Sequence, residues 1–174
     1  MWLTGRQAEG FGSLQMKAVI QRASKARVVV EEKVVGKIDH GYVVLLCVEQ
    51  GDSEAECDFI AKKCCELRIF ADEAGKMNLS LIDVGGSVLL ISQFTLAADW
   101  KKGRRPGFTK AAAPAEGDRL YQYFASVLEK AGVHVERGIF GAHMEVSLCN
   151  DGPVTLILEH KVSALPEEAA PSIQ

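Results

Sequence analysis

No apolar run in this 174-residue sequence approaches the ~20 residues needed to cross a bilayer, so no transmembrane helix is expected. The first fifteen residues lack the basic start and continuous apolar middle of a secretory leader. Charge of one sign is scarce too: 20 Lys and Arg against 23 Asp and Glu leave a net −3 and a pI near 5.8. No overall field therefore draws the chain to nucleic acid or to an anionic membrane, and any RNA contact must be local. The five cysteines, Cys47, Cys57, Cys64, Cys65 and Cys149, are odd in number and contain no C-x-x-C pair. That pattern excludes a disulfide framework and a zinc knuckle, and reads as reduced, mostly buried thiols of a cytoplasmic protein with no metal and no cofactor. None of the four histidines, His40, His134, His143 and His160, sits in a motif that marks a catalytic base, and the chain has no internal repeat.

What the sequence does have is 48% hydrophobic residues, enough to bury one sizeable core. A single domain is expected over 16–162. Residues 1–15, with Gly5, Gly10 and Gly12, read as a disordered extension or expression remnant ahead of a natural start at Met16, and 163–174 as a flexible tail. Lys17 to Ser24 alternates, Ala26 to Val30 resumes a β-branched run, and Val34 to Ile38 follows a short polar link, which predicts a hairpin. Tyr42 to Val48 is a continuous apolar run, fitting a strand buried on both faces. Ser53 and Glu56 form a capping box, and Cys57, Ile60, Ala61, Cys64 and Leu67 recur at three- and four-residue spacing, so a helix is expected over 54–67. Leu67 to Phe70 is a short strand, Asp72 to Lys76 a turn, and Ser87 to Ser92 a central strand. Ala97 to Lys110 has the glycines, proline and charges of a loop. Pro114 opens a second helix with Leu120, Phe124, Val127, Leu128 and Ala131 as its stripe and Gly132 as its stop. Val133 to Val135, Phe140 to Leu148 and Val154 to Glu159 complete seven or eight strands. The fold class is α+β, with mixed and antiparallel β-sheet in a barrel-like two-sheet arrangement and two helices packed on one side.

Two stretches could carry chemistry. In Asn150-Asp151-Gly152-Pro153-Val154-Thr155, proline fixes φ and removes a donor, so Gly152-Pro153 is expected as a bend at a strand end; most X–Pro bonds are trans, and the local pattern reads as an ordinary turn between two strands. Ser92-Gln93-Phe94-Thr95-Leu96 ends an apolar strand. The Thr95 hydroxyl is a poor nucleophile without an adjacent base, and strand threonines are common, so Thr95 reads as a positioning residue more readily than as a covalent one. Backbone N–H groups at a strand end, those of Phe94 and Thr95, are the alternative means of holding a developing oxyanion.

Taken together, Ser-Gln-Phe-Thr-Leu and Asn-x-Gly-Pro-Val-Thr resemble the two signature motifs of the D-aminoacyl-tRNA deacylases. The resemblance runs from Met16 to about His160 and includes Met16 to Arg22, Lys76 to Ser80 and Lys102 to Pro106. It implies a homodimeric hydrolase that cleaves the ester of D-aminoacyl-tRNA, and of glycine mischarged on tRNA, with its active sites at the subunit interface. In that picture Ser92, Gln93, Phe94 and Thr95 form the catalytic turn, the Phe94 and Thr95 amides face the ester carbonyl, and the ribose 2′-hydroxyl of the tRNA assists water. The resemblance further implies a cis Gly152–Pro153 bond whose carbonyls enter the partner's site and exclude an L side chain, with Arg22 as the buttress. It makes Phe140 and Met144 the holders of the terminal adenine, although such a pair is more often plain core. Lys101, Lys102, Arg104 and Arg105, extended by Lys110, would meet tRNA phosphates; the bland reading is a solvated loop. Ser92 and Phe94 set the chain apart from related editing enzymes with Pro-Gln-Ala-Thr-Leu. Asp151 and Gly107 depart from the family pattern at loop or variable-looking positions.

Two rivals stand beside this reading. One is a non-catalytic nucleic-acid-binding or dimerisation module on the same fold; the other is a threonine-dependent hydrolase of small esters.

Overall fold

The computed structural model describes residues 15–160. The expected extension, apart from Gln15, and the expected tail lie outside the described residues. Within them the chain order is β1 (Met16–Val30), β2 (Lys33–Ile38), β3 (Gly41–Cys47), α1 (Glu54–Glu66), β4 (Phe70–Ala71), β5 (Met77–Leu79), β6 (Ser87–Ser92), a 3-10 turn (Phe94–Ala97), α2 (Pro114–Lys130), β7 (His134–Arg137) and β8 (Glu145–His160).

The two runs at the start are one strand. β1 continues through Ala23 to Lys25 because bulges there absorb the break in alternation, which a pattern of strict period two reads as an ending. Glu31 and Glu32 make the hairpin turn with φ of 47° and 63°, the left-handed geometry that matches strand twist in two-residue hairpins. β1 then serves as the spine of the sheet. It pairs antiparallel with β2, β3 and β8, while β3–β6 and β6–β7 are parallel. Each parallel step needs a long crossover, and α1 and α2 supply the two. β2 folds across onto β6 and β7, so the six strands form a nearly closed, barrel-like mixed sheet; β4 and β5 are a small second sheet.

Both helices lie on one face. Ile60 and Cys64 of α1 and Leu120, Phe124 and Leu128 of α2 pack on Ala18, Ile20, Tyr42, Val44 and Leu90. Inside the barrel, Ala26, Val28, Ile38, Val43, Leu89 and Ile91 form a second core. β3 and β6 therefore contribute alternate residues to both cores, which is why they read as continuous apolar runs. Each fully buried leucine, isoleucine or phenylalanine contributes about 2 kcal/mol of burial. The expected capping box is present: the Ser53 amide donates to Glu56 Oε2 at 2.8 Å and Ala55 N–H donates to Ser53 Oγ at 3.3 Å. α2 buries Gly117, Tyr121 and Ala125 along with Leu120, Phe124 and Leu128; Ala131 caps the helix and is exposed.

Two expectations near the C-terminus need correction. Gly152-Pro153 does not join two strands: β8 runs unbroken from Glu145 to His160, and both its halves pair with β1. Phe140 and Met144 are not on a strand either. Phe140 to Ala142 is a turn and bend with Gly141 at φ 75°, and β8 begins only at Glu145. Alternation through Met144 and Val146 hid that boundary.

Candidate active site

At the end of β6 the chain leaves the sheet in a tight turn. Gln93 N–H donates to Leu46 O at 2.8 Å, Leu96 N–H to Gln93 O at 3.2 Å and Ala98 N–H to Thr95 O at 3.1 Å. The N–H groups of Phe94 and Thr95, the first of the 3-10 turn, have no hydrogen-bond partner among the described residues. That follows from geometry, because the opening amides of a helical turn have no preceding carbonyl to meet. From beneath, the Cys47 thiol donates to Phe94 O at 3.6 Å. Burial, with the Glu49 charge nearby, pushes that thiol up to about 12, so it stays neutral and acts as a support.

Ser92, Gln93 and Phe94 line a cleft of about 560 Å³, and across it stand Phe140, His143 and Met144. Tyr121 O–H donates to Leu90 O at 2.8 Å and fixes the floor. The Phe140 ring lies over α2, where a Cβ on Gly117 would stand only 3.4 Å from it, and its centroid is 6.1 Å from that of Tyr121. Met144 Sδ sits against Gly138, where a Cβ would stand 2.5 Å from the sulfur. Gly138 leaves room for the thioether, which lines the same cleft as the ring. Phe140 and Met144 both line the cleft, one from the turn and the other from the coil just after it rather than from a strand.

The loop after the 3-10 turn closes on itself: Asp99 and Gly107 exchange two N–H···O bonds of 2.8 Å. Lys101, Lys102, Arg104 and Arg105 are all exposed beyond that closure, and Lys110 is half-buried. Phe108, just past it, lines the cleft and meets Phe94 edge-on at 5.1 Å, so the basic loop rises beside the cleft mouth. Gln93 Nε2 donates to Thr95 Oγ1 at 2.6 Å. An amide cannot take a proton, and the Thr95 hydroxyl has no other side-chain partner among the described residues, so nothing there activates it as a nucleophile.

The second motif is elsewhere. Gln21 pairs with Thr155 and Ala23 with Asn150, so Asp151 to Val154 stand opposite the single residue Arg22 in a wide bulge. Gly152–Pro153 is cis, and both residues are exposed. Asn150 Oδ1 accepts from Val154 N–H at 2.8 Å and its Nδ2 donates to Thr155 Oγ1 at 3.0 Å, so the first and last residues of the motif brace the bulge between them. Arg22 holds it from behind: Nε donates to Asp151 O at 2.9 Å and lies 3.4 Å from Asp151 Oδ2, while NH1 donates to Ile69 O. The Arg22 head also lies 6.0 Å from the Phe70 ring centroid. Asp151, seen in sequence only as a departure, is thus Arg22's ion-pair partner.

Bulge and cleft do not meet within one chain. From Ser92, the register runs through Leu46 and Ala18 to Leu158. Neither Gly152 nor Pro153 lines the cleft, and β8 reaches it at Val146, seven residues before Pro153.

The comparisons decide the family. The family model for D-Tyr-tRNA(Tyr) deacylase matches residues 19–159. The chain belongs to that family. It is 56% identical over 144 residues to a D-aminoacyl-tRNA deacylase of Ruegeria pomeroyi, covering 83% of this chain and 99% of that one. With a D-aminoacyl-tRNA deacylase of Pelobacter propionicus it shares 59% identity, over 83% of this chain and 99% of the relative. These relatives bear the name of a hydrolase acting on an ester bond. Among solved structures it resembles a chain described as c-Myc DNA Unwinding Element Binding Protein, with TM-score 0.78 and 36% identity over 84% of this chain and 99% of that one. A probable eukaryotic D-amino acid tRNA deacylase has the same fold, with TM-score 0.74 and 17% identity over 84% of this chain and all of the other. The likeness to both structures is one of fold.

Sequence reasoning missed His143 and Phe108 in the cleft wall, and the Cys47 support. His143 is flanked by Phe140 and Met144, which was the available signal; Cys47 gave none, being one buried thiol among four. Among the described residues no group of three His, Cys, Asp or Glu side chains is placed to hold a metal, and no helix is long and apolar enough to cross a membrane.

Proposed function

We propose that the protein hydrolyses the ester of D-aminoacyl-tRNA, and of glycine mischarged on tRNA, in the cytoplasm as a homodimer. The observation that carries this reading is the pair of unpartnered amides on Phe94 and Thr95, in the turn whose Ser92, Gln93 and Phe94 line a cleft that also holds Phe140 and Met144. A base stacked between an aromatic ring and a thioether would place the terminal ribose ester beside those amides. Water adds to the ester carbonyl, the two amides hold the resulting oxyanion, and the intermediate collapses by expelling the ribose oxygen, which receives the proton water gave up. The ribose 2′-hydroxyl assists by orienting the water. Free D-amino acid and tRNA leave, and Ser92 and Gln93 keep the turn in place.

Handedness would be read by the Gly152-Pro153 bulge of a second copy. Support comes from its place outside its own cleft and from the edge it occupies. Among the described residues no strand pairs with the outer edge of β8, and Ile157 on that strand is 69% exposed. Open edges of this length invite pairing with another chain. A backbone wall cannot rotate aside, so it excludes an L side chain whatever its type. Lys101, Lys102, Arg104 and Arg105 would meet phosphates near the acceptor end.

The test compares D-tyrosyl-tRNA with L-tyrosyl-tRNA in the parent and in Thr95→Ala. The expected result is hydrolysis of the D-ester alone, retained within about threefold in the variant, because the amides survive the substitution. Loss of activity in Thr95→Ala favours a threonine nucleophile, and an inactive parent that binds tRNA favours a binding module.

A further inference from the structure

On the outer face of the barrel, away from the cleft, lies a second concavity of about 430 Å³ lined by Lys25, Arg27, Lys37, Ser147 and Cys149. The strand registers create it. Arg27 stands directly opposite Lys37 on β2 and opposite Ser147 on β8, and Lys25 stands opposite Cys149. All five are exposed, so they share the solvent face of this three-stranded ribbon. Directly paired residues bring their Cβ atoms to about 5 Å, and like charges in that position repel. Neither Lys25 nor Arg27 makes an ion pair or side-chain hydrogen bond among the described residues. Lys37 reaches only Asp39, at 4.0 Å with both groups exposed. Glu145, two residues along β8 from Ser147 and also exposed, pairs with none of the three. Three cations thus face one hollow, with the exposed Asp39 beside Lys37 as the one carboxylate paired with any of them among the described residues, in a protein of net charge −3.

We infer that this hollow is a second phosphate-binding site, which takes the sugar–phosphate backbone of the tRNA beyond its acceptor end. The occupant follows from charge complementarity with the proposed substrate, and the inference rests on that reading's tRNA. Cys149 lies three residues before Gly152 on β8. A protomer that lends its bulge to a partner's cleft therefore sets these cations beside the partner's substrate, and the tRNA is held from both subunits. The site carries no base-reading geometry, so it contributes affinity and register without sequence preference. It escapes a linear scan because Lys37 joins Lys25 and Arg27 only through the hairpin register.

The test is the triple variant Lys25→Gln, Arg27→Gln, Lys37→Gln in the full chain, with unchanged thermal midpoint as the control for folding. Binding of uncharged tRNA is measured against salt, and deacylation is measured on full D-tyrosyl-tRNA and on D-tyrosyl-adenosine. The expected result is a salt slope smaller by about two and a KM for full tRNA raised about fivefold. The kcat and the reaction of the adenosine ester stay as in the parent. Lys25→Arg with Arg27→Lys keeps the parental slope. An unchanged slope and KM overturn the site, as does an equal loss on the adenosine ester, which marks a structural effect. If inorganic phosphate binds the parent, is lost in the triple variant and leaves the tRNA slope untouched, the site serves free phosphate and the RNA assignment fails. The binding arm needs no catalysis, so a failed chiral assay with an intact charge-dependent slope removes the enzymatic reading and leaves this site in place.

Discussion

The turn at Ser92 to Ala97 and the bulge at Asn150 to Thr155 both present backbone where a strand is interrupted, yet they are held differently. The turn grows from β6, a strand buried on both faces, and is pinned from below by Leu46 O and the neutral Cys47 thiol. The bulge lies on β8, whose outer edge is open among the described residues, and is braced by polar groups alone: Asn150, Thr155 and the Arg22–Asp151 pair. A turn supported by the core is complete inside one chain. A bulge held by polar braces on an open edge suits the wall proposed above for another subunit's cleft.

The sharpest way to break this contrast is Gly152→Ala. Gly152 has φ of 142°, and an added Cβ would stand 2.7 Å from Val154 Cγ2 and 2.8 Å from Val154 N, so the bulge must move while the turn is untouched. Displacing a positioning element by about 1 Å costs roughly 100-fold, and kcat/KM on D-tyrosyl-tRNA is expected to fall by that much with the thermal midpoint nearly unchanged. A steady-state deacylation assay beside a melting curve checks both halves.

The end of β3, the strand that carries the Cys47 thiol, can be tested by pH. Asp52 is buried and accepts from the Glu49 amide at 2.7 Å just past β3. Burial is the main cause that pushes its carboxyl up to about 6; the amide bond opposes it, and the charges of Glu56 and Glu49 add to it. A carboxyl raised above its unfolded value binds a proton more tightly in the native state, so it lowers stability as pH rises from about 4 to about 6. Asp52→Asn is expected to remove that fall, a relative gain of about 2 kcal/mol at pH 7 against pH 4, read by urea unfolding at the two values. The same profile in parent and variant would show that Asp52 does not titrate there.

Phe140→Ala is the mildest. It removes the ring from the cleft wall, and KM for D-tyrosyl-tRNA is expected to rise about tenfold with little change in kcat, the value of one stacked base. A loss confined to kcat would place the ring at the reacting carbonyl instead of the base.

The fold was largely legible because its signals are local. The capping box at Ser53 and Glu56, Pro114 at a helix start and the apolar runs of β3 and β6 each follow from a few neighbouring residues. The boundaries that went astray, β8 through Gly152-Pro153 and the turn at Phe140, depend on pairing with β1 and on the packing of Phe140 over Gly117, which lie more than twenty residues away in the chain. The 92–95 turn was legible through motif resemblance, and its unpartnered amides through the general geometry of turn openings. Asp151 as Arg22's partner, Cys47 as a prop and the Lys25–Arg27–Lys37 hollow were not legible, since each joins strands by register.

By itself the sequence determined which segments bury, where the helices begin, which residue types stand ready for chemistry, and membership in a family of tRNA deacylases, because periodicity, capping and motif order are properties of short stretches. Only the tertiary structure decided that Phe140 and Met144 share one cleft with Ser92, Gln93 and Phe94 while Gly152-Pro153 lies outside it. Contacts between distant segments are set by strand register and core packing, and those are fixed only when the whole sheet closes.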